Sequence, residues 1–354
     1  MSALVIHDED SVAVATTELL AGARLELPGE SLTVAEPVPS GHKVARRAHA
    51  AGEPVIKYGW PIGRARTAIA PGEHVHVHNL ETALTAEASI PFAPAAARRA
   101  ASFEQTFQGF RRADGRAGIR NELWIIPTVG CVARTAEALA TRFRAELARF
   151  PNIDGVFAFS HAFGCSQLGD DLANTQKILA ALATHPNVGG ALVLGLGCEN
   201  NYLEAFKPFL AAGDPTRLRF LSAQASLDEH EEGLTLLGEL AERANQDRKS
   251  ELSARDLVVG LKCGGSDGLS GITANPLLGR FAERLVASGG TAILTEVPEM
   301  FGAETAFFSR CVDERVFERA NRRRPPDHER HHHVREDDDV PKRDNGESLV
   351  LIHG

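Results

Sequence analysis

Three histidines, His74, His76 and His78, alternate with valines directly after the turn Pro71-Gly72. In an extended strand, residues i, i+2 and i+4 point to one face, so the three imidazoles would share a side. Imidazole nitrogens are common ligands of divalent transition metals. The spacing therefore predicts a metal-binding face. The alternative is a solvent-exposed polar stripe whose valines pack inward.

Groups that can move protons or attract a carboxylate lie earlier and later in the chain. His42, Lys43 and Lys57 precede the histidine run, while His161 and Glu296 each follow an apolar segment that predicts a strand. Histidine transfers protons near neutral pH, and lysine attracts carboxylates as a point charge. We take these five as catalytic candidates. Singly, the basic residues are also ordinary on a protein surface, and Glu296 is also typical of a helix start.

An arginine-rich turn occupies residues 109–121, with the sequence GFRRADGRAGIRN. Its glycines and aspartate predict tight turns, and arginine holds a carboxylate through two parallel hydrogen bonds. Arginines that brace the turn are an equally good explanation. The candidate substrate-binding residues here are Arg112, Asp114, Arg116, Arg120 and Asn121.

Three cysteines, Cys165, Cys198 and Cys263, each follow a predicted strand closely and have glycine nearby. The carboxyl ends of parallel strands meet at one edge of a sheet, so these thiols are expected to gather there. Thiolates bind iron and zinc, and three of them suit an iron–sulfur site. Single free cysteines are more often core residues. No CxxC pair occurs, which argues against a zinc ribbon.

A polar, glycine-rich run spans residues 263–276, CGGSDGLSGITANP. Its hydroxyl, carboxylate and amide groups suit hydrogen bonding to a polyol, and no GK[ST] follows the glycines as a P-loop would require. The candidates for substrate binding here are Ser266, Asp267, Ser270 and Asn275.

The elements that must position these groups fall into four segments. Residues 1–85 predict a small β-rich domain of short strands and turns, and residues 86–104 are an alanine- and proline-containing linker. In residues 105–320, apolar strands near 122–127, 153–159, 190–196, 218–221, 256–262 and 291–295 alternate with helical patterns at 132–149, 168–184, 228–247 and 276–288. This alternation predicts a mostly parallel α/β sheet. Residues 321–354 are highly charged and predict disorder.

Composition narrows the functional class. The 354 residues carry a formal charge of −9, which argues against a broad nucleic-acid surface. No apolar run reaches the roughly 18–20 residues of a membrane span, and the N-terminus lacks a signal-peptide pattern. We expect a cytoplasmic protein with reduced thiols that acts on a small molecule. A homo-oligomer is compatible with the sequence.

Taken together, these stretches resemble the altronate/galactarate dehydratase family. Residues 1–85 are similar to its N-terminal β-clip (SAF, antifreeze-like) domain through GHK, PVIKYGWPIGRA and PGEHVHVHNL. Later matches, in order, are GFRRADGRAGIRNELWIIPTVGC, HAFGCSQLGDDLANT, HPNVGGALVLGLGCENN, GLKCGGSDGLSGITANPLLG and GGTAILTEVPEMFGAE. The similarity ends near residues 312–318, which suggests a frameshifted or shortened C-terminal part.

The resemblance implies a hydro-lyase that converts a sugar acid, such as altronate or galactarate, into a 2-keto-3-deoxy acid with Fe²⁺ as cofactor. Mn²⁺ and an iron–sulfur site are the alternatives for the metal. In this interpretation His74, His76 and His78 hold the metal, Arg112, Arg116 or Lys57 holds the carboxylate, and His42 is the first choice as acid or base. Two alternatives stay open: an impaired sugar-acid-binding fragment, and elimination of sulfite from sulfolactate.

Overall fold

The computed structural model describes residues 2–82, 91–93, 104–262, 269–295, 304–311 and 313–322. The chain forms two compact units: residues 1–102 with 258–287 and 291–354, and residues 103–257 with 288–290. The predicted linker and tail lie almost entirely outside the described residues. No helix among the described residues is both long and apolar enough to cross a bilayer.

The N-terminal part of the first unit is built of short strands, as the sequence predicted. They are β1 (Ala3–Leu4), β2 (Val12–Ala15), β3 (Arg24–Leu27), β4 (Glu30–Thr33), β5 (Lys43–Ala45), β6 (Pro54–Lys57), β7 (Trp60–Ala65), β8 (His74–Val75) and β9 (Leu80–Glu81). They form an antiparallel sheet in the order β1-β2-β5-β8, a β3-β4 hairpin and a β6-β7-β9 sheet.

Small apolar side chains and tight turns hold this β part together. Val12, Ala45, Val55 and Val75 form one buried cluster under the strands that carry the histidines. Gly72 precedes β8 with φ of 87°, and a side chain there would collide with the Thr33 carbonyl. Only glycine satisfies both demands, so Gly72 brings the chain into β8 in the orientation seen.

The second unit contains the predicted parallel α/β sheet. Its elements are β10 (Thr106–Arg111), β11 (Ala117–Gly118), β12 (Glu122–Pro127), α1 (Ala133–Phe143), β13 (Gly155–Ala158), α2 (Gly169–Ala183), β14 (Val188–Gly195), α3 (Leu203–Phe206), β15 (Leu218–Ser222), α4 (Glu229–Ala244) and β16 (Ser250–Ser253). Strands β12 to β15 pair in parallel in the order β13-β12-β14-β15. The helices lie within a few residues of the predicted ranges.

The central strand β12 is apolar on both faces because helices cover both. Leu123 and Ile125 pack with α1 and α4 on one side, in the cluster that includes Leu139 and Leu240. Trp124 and Ile126 point to the other side and pack with α2 and α3. The two-residue alternation of a strand thus distributes one continuous apolar run between two cores.

The last predicted strands do not join this sheet. Strands β17 (Val258–Leu261) and β18 (Thr291–Leu294) pair in parallel with each other, and α5 (Ala274–Ala287) connects them. They are grouped with the N-terminal β part, not with the second unit. The single sheet expected across residues 105–320 is therefore three sheets among the described residues: β13-β12-β14-β15, β17-β18, and β11-β10-β16, in which β16 pairs with β10. Two further helices are α6 (Glu304–Phe308) and α7 (Glu314–Arg322).

Candidate active site

Four imidazoles cluster at one end of the β5–β8 pair. The antiparallel register places Val44 opposite His74, so His42, just before β5, lies beside the histidine run. The ring centroid of His42 is 5.1 Å from that of His74 and 4.9 Å from that of His76. The His74 centroid is 5.3 Å from that of His76 and 5.5 Å from that of His78. The predicted gathering of imidazoles is present, with His42 added.

The backbone that carries the histidines differs from the predicted continuous strand. Strand β8 ends at Val75, and a turn follows in which the Asn79 side chain accepts a hydrogen bond from the His76 amide at 3.0 Å. The Asn79 amide donates to the His74 carbonyl at 2.9 Å. The buried Asn79 thus folds the run back on itself, so a turn and not a shared strand face assembles the rings. This part of the prediction was wrong.

The surroundings of His74 favour its neutral form. His42 Nδ1 and His74 Nε2 lie 2.9 Å apart, so one ring must donate a proton and the other must offer a lone pair. Burial, followed by the charges of His42, His76 and His78, lowers the pKa of His74 to about 4. At neutral pH His74 is therefore uncharged.

A divalent ion is compatible with this donor set. Two nitrogen ligands at right angles, each about 2.1 Å from a metal, are about 3.0 Å apart, close to the spacing of His42 Nδ1 and His74 Nε2. Neutral imidazoles suit borderline ions such as Fe²⁺. Within the described part of the chain, however, no three His, Cys, Asp or Glu side chains already form a metal-binding group. The third ligand requires a rotated ring, a group outside these residues, or the substrate.

Two lysines, Lys43 and Lys57, lie near the imidazoles and have no acidic partner among the described residues. Lys57, at the end of β6, is only 9% exposed, and its Nζ lies 4.6 Å from the centroid of the Tyr58 ring. Burial and the charge of Lys57 lower the pKa of Lys43. No salt bridge between described residues includes either lysine. The nearly buried Lys57 ammonium, with no carboxylate partner among the described residues, is a candidate site for an anion.

Part of the polar run also belongs to the first unit. Gly271 lies against the Tyr58 hydroxyl, and Ser270 accepts a backbone hydrogen bond from Asn275 at 2.9 Å. The structure thus brings Ser270 into the neighbourhood of Lys57. The other predicted residues of this region, Cys263, Ser266, Asp267 and Glu296, lie outside the described residues.

The arginine-rich turn braces the second unit. Arg112 donates from all three nitrogens, to the Pro186 and Arg120 carbonyls, Asn121 Oδ1 and Asp247. All five N–H bonds are therefore used, and no donor is left for a substrate. Asn121 is fully buried. Of the two explanations offered by the sequence, bracing applies to this pair, and the proposed carboxylate clamp does not.

The remaining residues of that turn lie at the surface. Arg116 pairs with Asp114 through its Nε at 2.7 Å and donates to the Thr184 carbonyl at 2.6 Å. Arg120 is exposed, and its carbonyl accepts from Arg112. A pocket of about 420 Å³ lies beside this turn. Its polar lining includes Arg112, Asp114, Arg116, Thr184, His185, Asp214 and Arg217.

Cys165 and Cys198 follow β13 and β14 of the parallel sheet, whereas Cys263 follows β17 of another sheet and lies outside the described residues, so the gathering of three thiols stays a prediction. Cys165 and Cys198 are exposed, and Cys198 Sγ accepts from Gln224 at 3.6 Å. His161 in the same region has both ring nitrogens engaged: Nε2 is 2.9 Å from the Pro127 carbonyl, and Nδ1 accepts from the Phe163 amide. His161 is therefore held as a loop brace.

Sequence reasoning missed several residues at this edge. The order β13-β12-β14-β15 sends the connections after β12 and β14 in opposite directions, which is where ligands bind in open α/β sheets. At this point Thr128 donates to the buried Glu199 at 2.7 Å, and exposed Cys131 follows. Burial favours a raised pKa for Glu199, but the Thr128 hydroxyl and the amides of Gly197 and Leu196 lower it. The strand–glycine–cysteine pattern was a usable signal for Cys131.

Comparison with known protein families shows which family the chain matches. Three family models match in order: the altronate/galactarate dehydratase SAF domain over residues 1–83, the second domain of D-galactarate dehydratase/altronate hydrolase over 109–245, and the D-galactarate/altronate dehydratase C-terminal domain over 254–340. Together they cover most of the chain. The chain belongs to the altronate/galactarate dehydratase family. The resemblance found in the sequence is thereby confirmed.

Relatives within the altronate/galactarate dehydratase family are longer than this chain. The altronate dehydratase of Bacillus subtilis is 47% identical over 319 residues, which is 90% of this chain and 64% of the relative. That of Escherichia coli is 46% identical over 320 residues, 90% of this chain and 65% of the relative. The E. coli galactarate dehydratase (L-threo-forming) is 34% identical over 337 residues, 89% and 62% of the two chains. The chain thus spans slightly under two thirds of their length.

Proposed function

We propose that this chain is a hydro-lyase that removes water from a sugar acid, with altronate the preferred substrate, to give a 2-keto-3-deoxy acid. Membership of the altronate/galactarate dehydratase family and the 47% identity to an altronate dehydratase support this reaction and substrate class. The observation that carries the proposal is the cluster of four imidazoles beside Lys43 and the nearly buried Lys57, neither of which has a salt-bridge partner among the described residues.

Lys57 accounts for recognition of the acid. A sugar acid presents one carboxylate and several hydroxyls, and the carboxylate supplies the negative charge that is missing beside the Lys57 ammonium. Because Lys57 is almost fully buried, its interaction with an anion is weakly screened by solvent. Ser270 and Asn275 stay proposals for hydrogen bonds to the substrate hydroxyls.

Lys43 is the best placed proton acceptor. Its lowered pKa increases the neutral fraction of its amine at working pH, as a general base requires. His42 was the first choice from the sequence, but its Nδ1 is engaged with His74. In the proposed step, the Lys43 amine takes the proton from C2, and negative charge moves into the carboxylate. The Lys57 ammonium stabilises that charge. The Lys43 ammonium returns this proton to the C3 hydroxyl, which leaves as water while the C2–C3 double bond forms, and the resulting enol tautomerises to the 2-keto acid.

His42 and His74, the pair at ligand spacing, would hold Fe²⁺, and His76 and His78 lie beside them as candidates for a further ligand after ring rotation. A bound divalent iron supplies Lewis acidity that polarises a carboxylate or a leaving hydroxyl. Mn²⁺ and an iron–sulfur site on the cysteines stay the alternatives proposed for the cofactor.

The test is anaerobic purification of the 354-residue chain with Fe²⁺, followed by measurement of 2-keto-3-deoxy product from altronate, galactarate, gluconate and sulfolactate. We expect product from altronate, and loss of both iron and turnover in His74→Ala. A matched control, His230→Ala, removes a histidine of the other unit and is expected to keep both. Altronate binding without turnover would instead identify a sugar-acid-binding protein. Sulfite release from sulfolactate would identify a sulfo-lyase, and no binding at all would refute the proposal.

A further inference from the structure

Tyr58 has an unusual backbone conformation next to the two lysines. Its φ is 62°, and it is the only non-glycine residue with positive φ among the residues that the structure describes. Lys57 pairs with Trp60 across the β6–β7 hairpin, which leaves Tyr58 and Gly59 as a two-residue turn with φ of 62° and 74°. Such a type I′ turn favours asparagine or glycine at its first position, so tyrosine is strained there.

Neighbouring groups enforce this turn. The Gly59 amide donates to Asp10 Oδ1 at 2.8 Å, and the other Asp10 oxygen accepts from the Ile6 and His7 amides. Asp10 is 4% exposed, and the His7 ring packs against Gly59. Strained conformations persist where the surroundings impose them, and they concentrate at functional sites.

The enforced turn aims the Tyr58 side chain at two groups of the first unit. The face of its ring meets the Lys57 ammonium, 4.6 Å from the ring centroid. Its hydroxyl fills the space that a side chain on Gly271 would need. Attraction between a cation and an aromatic face is strongest where water is excluded, and Lys57 is nearly buried.

We propose that Tyr58 is a positioning residue for substrate recognition: its strained turn holds the ring under Lys57 and thereby fixes the ammonium that receives the carboxylate of a polyhydroxy acid. This inference rests on the proposed function, because it assigns Lys57 to the substrate carboxylate. Tyr58 need not touch the reacting atoms. Its contribution is to hold a long, otherwise mobile lysine in one place without an acidic partner that would compete with the substrate.

The main test replaces Tyr58 by asparagine, the residue that this turn prefers. We expect Tyr58→Asn to keep or raise the thermal unfolding midpoint and to raise KM for altronate about tenfold, because a displaced ammonium holds the carboxylate less well. Tyr58→Phe keeps the aromatic face and is expected to keep KM within about threefold. Trp60→Phe, on the exposed side of the same hairpin, is the matched control.

A ligand-independent measurement tests the contact itself. The chain has two tyrosines, so a Tyr202→Phe background labelled with 3-fluorotyrosine gives one ¹⁹F signal, that of Tyr58. That signal is expected to shift when Lys57 is changed to methionine and again when altronate is added. A signal indifferent to Lys57→Met overturns the proposed contact.

The outcomes separate this inference from the proposed reaction. If the chain binds altronate without turnover, and Tyr58→Asn weakens that binding, the reaction fails but the role of Tyr58 stands. If turnover occurs and Tyr58→Asn leaves KM unchanged, only the role of Tyr58 is refuted. A large fall in unfolding midpoint for Tyr58→Asn would show that the tyrosine serves folding, and would also refute it.

Discussion

Replacing Arg112 by methionine should destabilise the second unit strongly without affecting recognition of the acid. The guanidinium is 6% exposed and makes hydrogen bonds with every N–H it has. Burial, followed by the charge of Arg217, lowers its pKa to about 10, so it stays protonated at neutral pH. Methionine preserves much of the apolar stem but removes every donor.

The size of the effect follows from the acceptors left behind. In the variant, Asn121 Oδ1 and the Pro186 and Arg120 carbonyls each lose a donor, and a buried unsatisfied acceptor costs about 1–3 kcal/mol. Asp247 keeps Arg217 and Arg243 as partners, so its charge is not stranded. We expect a total loss of about 3–5 kcal/mol, the range for breaking a buried ion pair.

Tryptophan fluorescence gives a selective assay. The chain has two tryptophans: Trp60 is 75% exposed, and Trp124 lies buried in the second unit. Urea unfolding in a Trp60→Phe background therefore reports on the second unit through Trp124. The control is Arg116→Met, whose side chain is 49% exposed and which should cost less than about 1 kcal/mol. A loss below about 1 kcal/mol for Arg112→Met, together with a raised KM, would refute the bracing role and restore the carboxylate clamp.

Three further outcomes are expected. Burial, followed by the charges of Arg116 and Arg112, lowers the pKa of His185 in the folded protein to about 4. The pKa of a histidine in the unfolded chain is about 6.5, so between these two pH values the unfolded state binds one more proton than the folded state. Stability should thus be complete above pH 6.5 and fall by at most about 3 kcal/mol towards pH 4, and His185→Gln should flatten this loss in urea titrations at each pH. Glu199→Gln should lower stability by about 2–3 kcal/mol, measured through Trp124, because an amide N–H₂ would face the donors that now reach the carboxylate. Gly271→Ala should raise KM by displacing the Tyr58 hydroxyl, whereas Gly279→Ala, with open space in α5, should leave KM unchanged and raise stability by up to about 1 kcal/mol in thermal unfolding.

The helices and strands with a clear hydrophobic period could be predicted from the sequence. The predicted strand at 122–127 matches β12, and the predicted helices at 168–184 and 228–247 match α2 and α4 within three residues at each end. Hydrophobic period and length are local properties, so they survive folding unchanged. The gathering of histidines was foreseen as well, because the three residues are neighbours in the chain.

The sequence did not predict which strands belong to the same sheet. Residues 256–262 have the same apolar pattern as the strands of the main sheet, yet among the described residues β17 pairs with β18 alone, and β16 pairs with β10. Pairing depends on contacts between residues far apart in sequence, and the apolar pattern is the same for either partner. For that reason the switch point beside Thr128 and Glu199 was also missed.

The amino-acid sequence by itself determined the family, the β-rich N-terminal part, the α/β alternation and the types of side chain that could take part in chemistry: imidazoles, amines, thiols and guanidinium groups. Folding decided which of them are free to act. Arg112 and His161 have suitable chemistry, but their donors and acceptors are consumed by nearby backbone and side chains. Lys43 and Lys57 are unremarkable in the sequence, yet Lys57 becomes nearly buried beside Lys43, and neither has a salt-bridge partner among the described residues. The reason is physical: hydrogen-bond satisfaction and desolvation depend on every neighbour in three dimensions, and these neighbours come from distant parts of the chain.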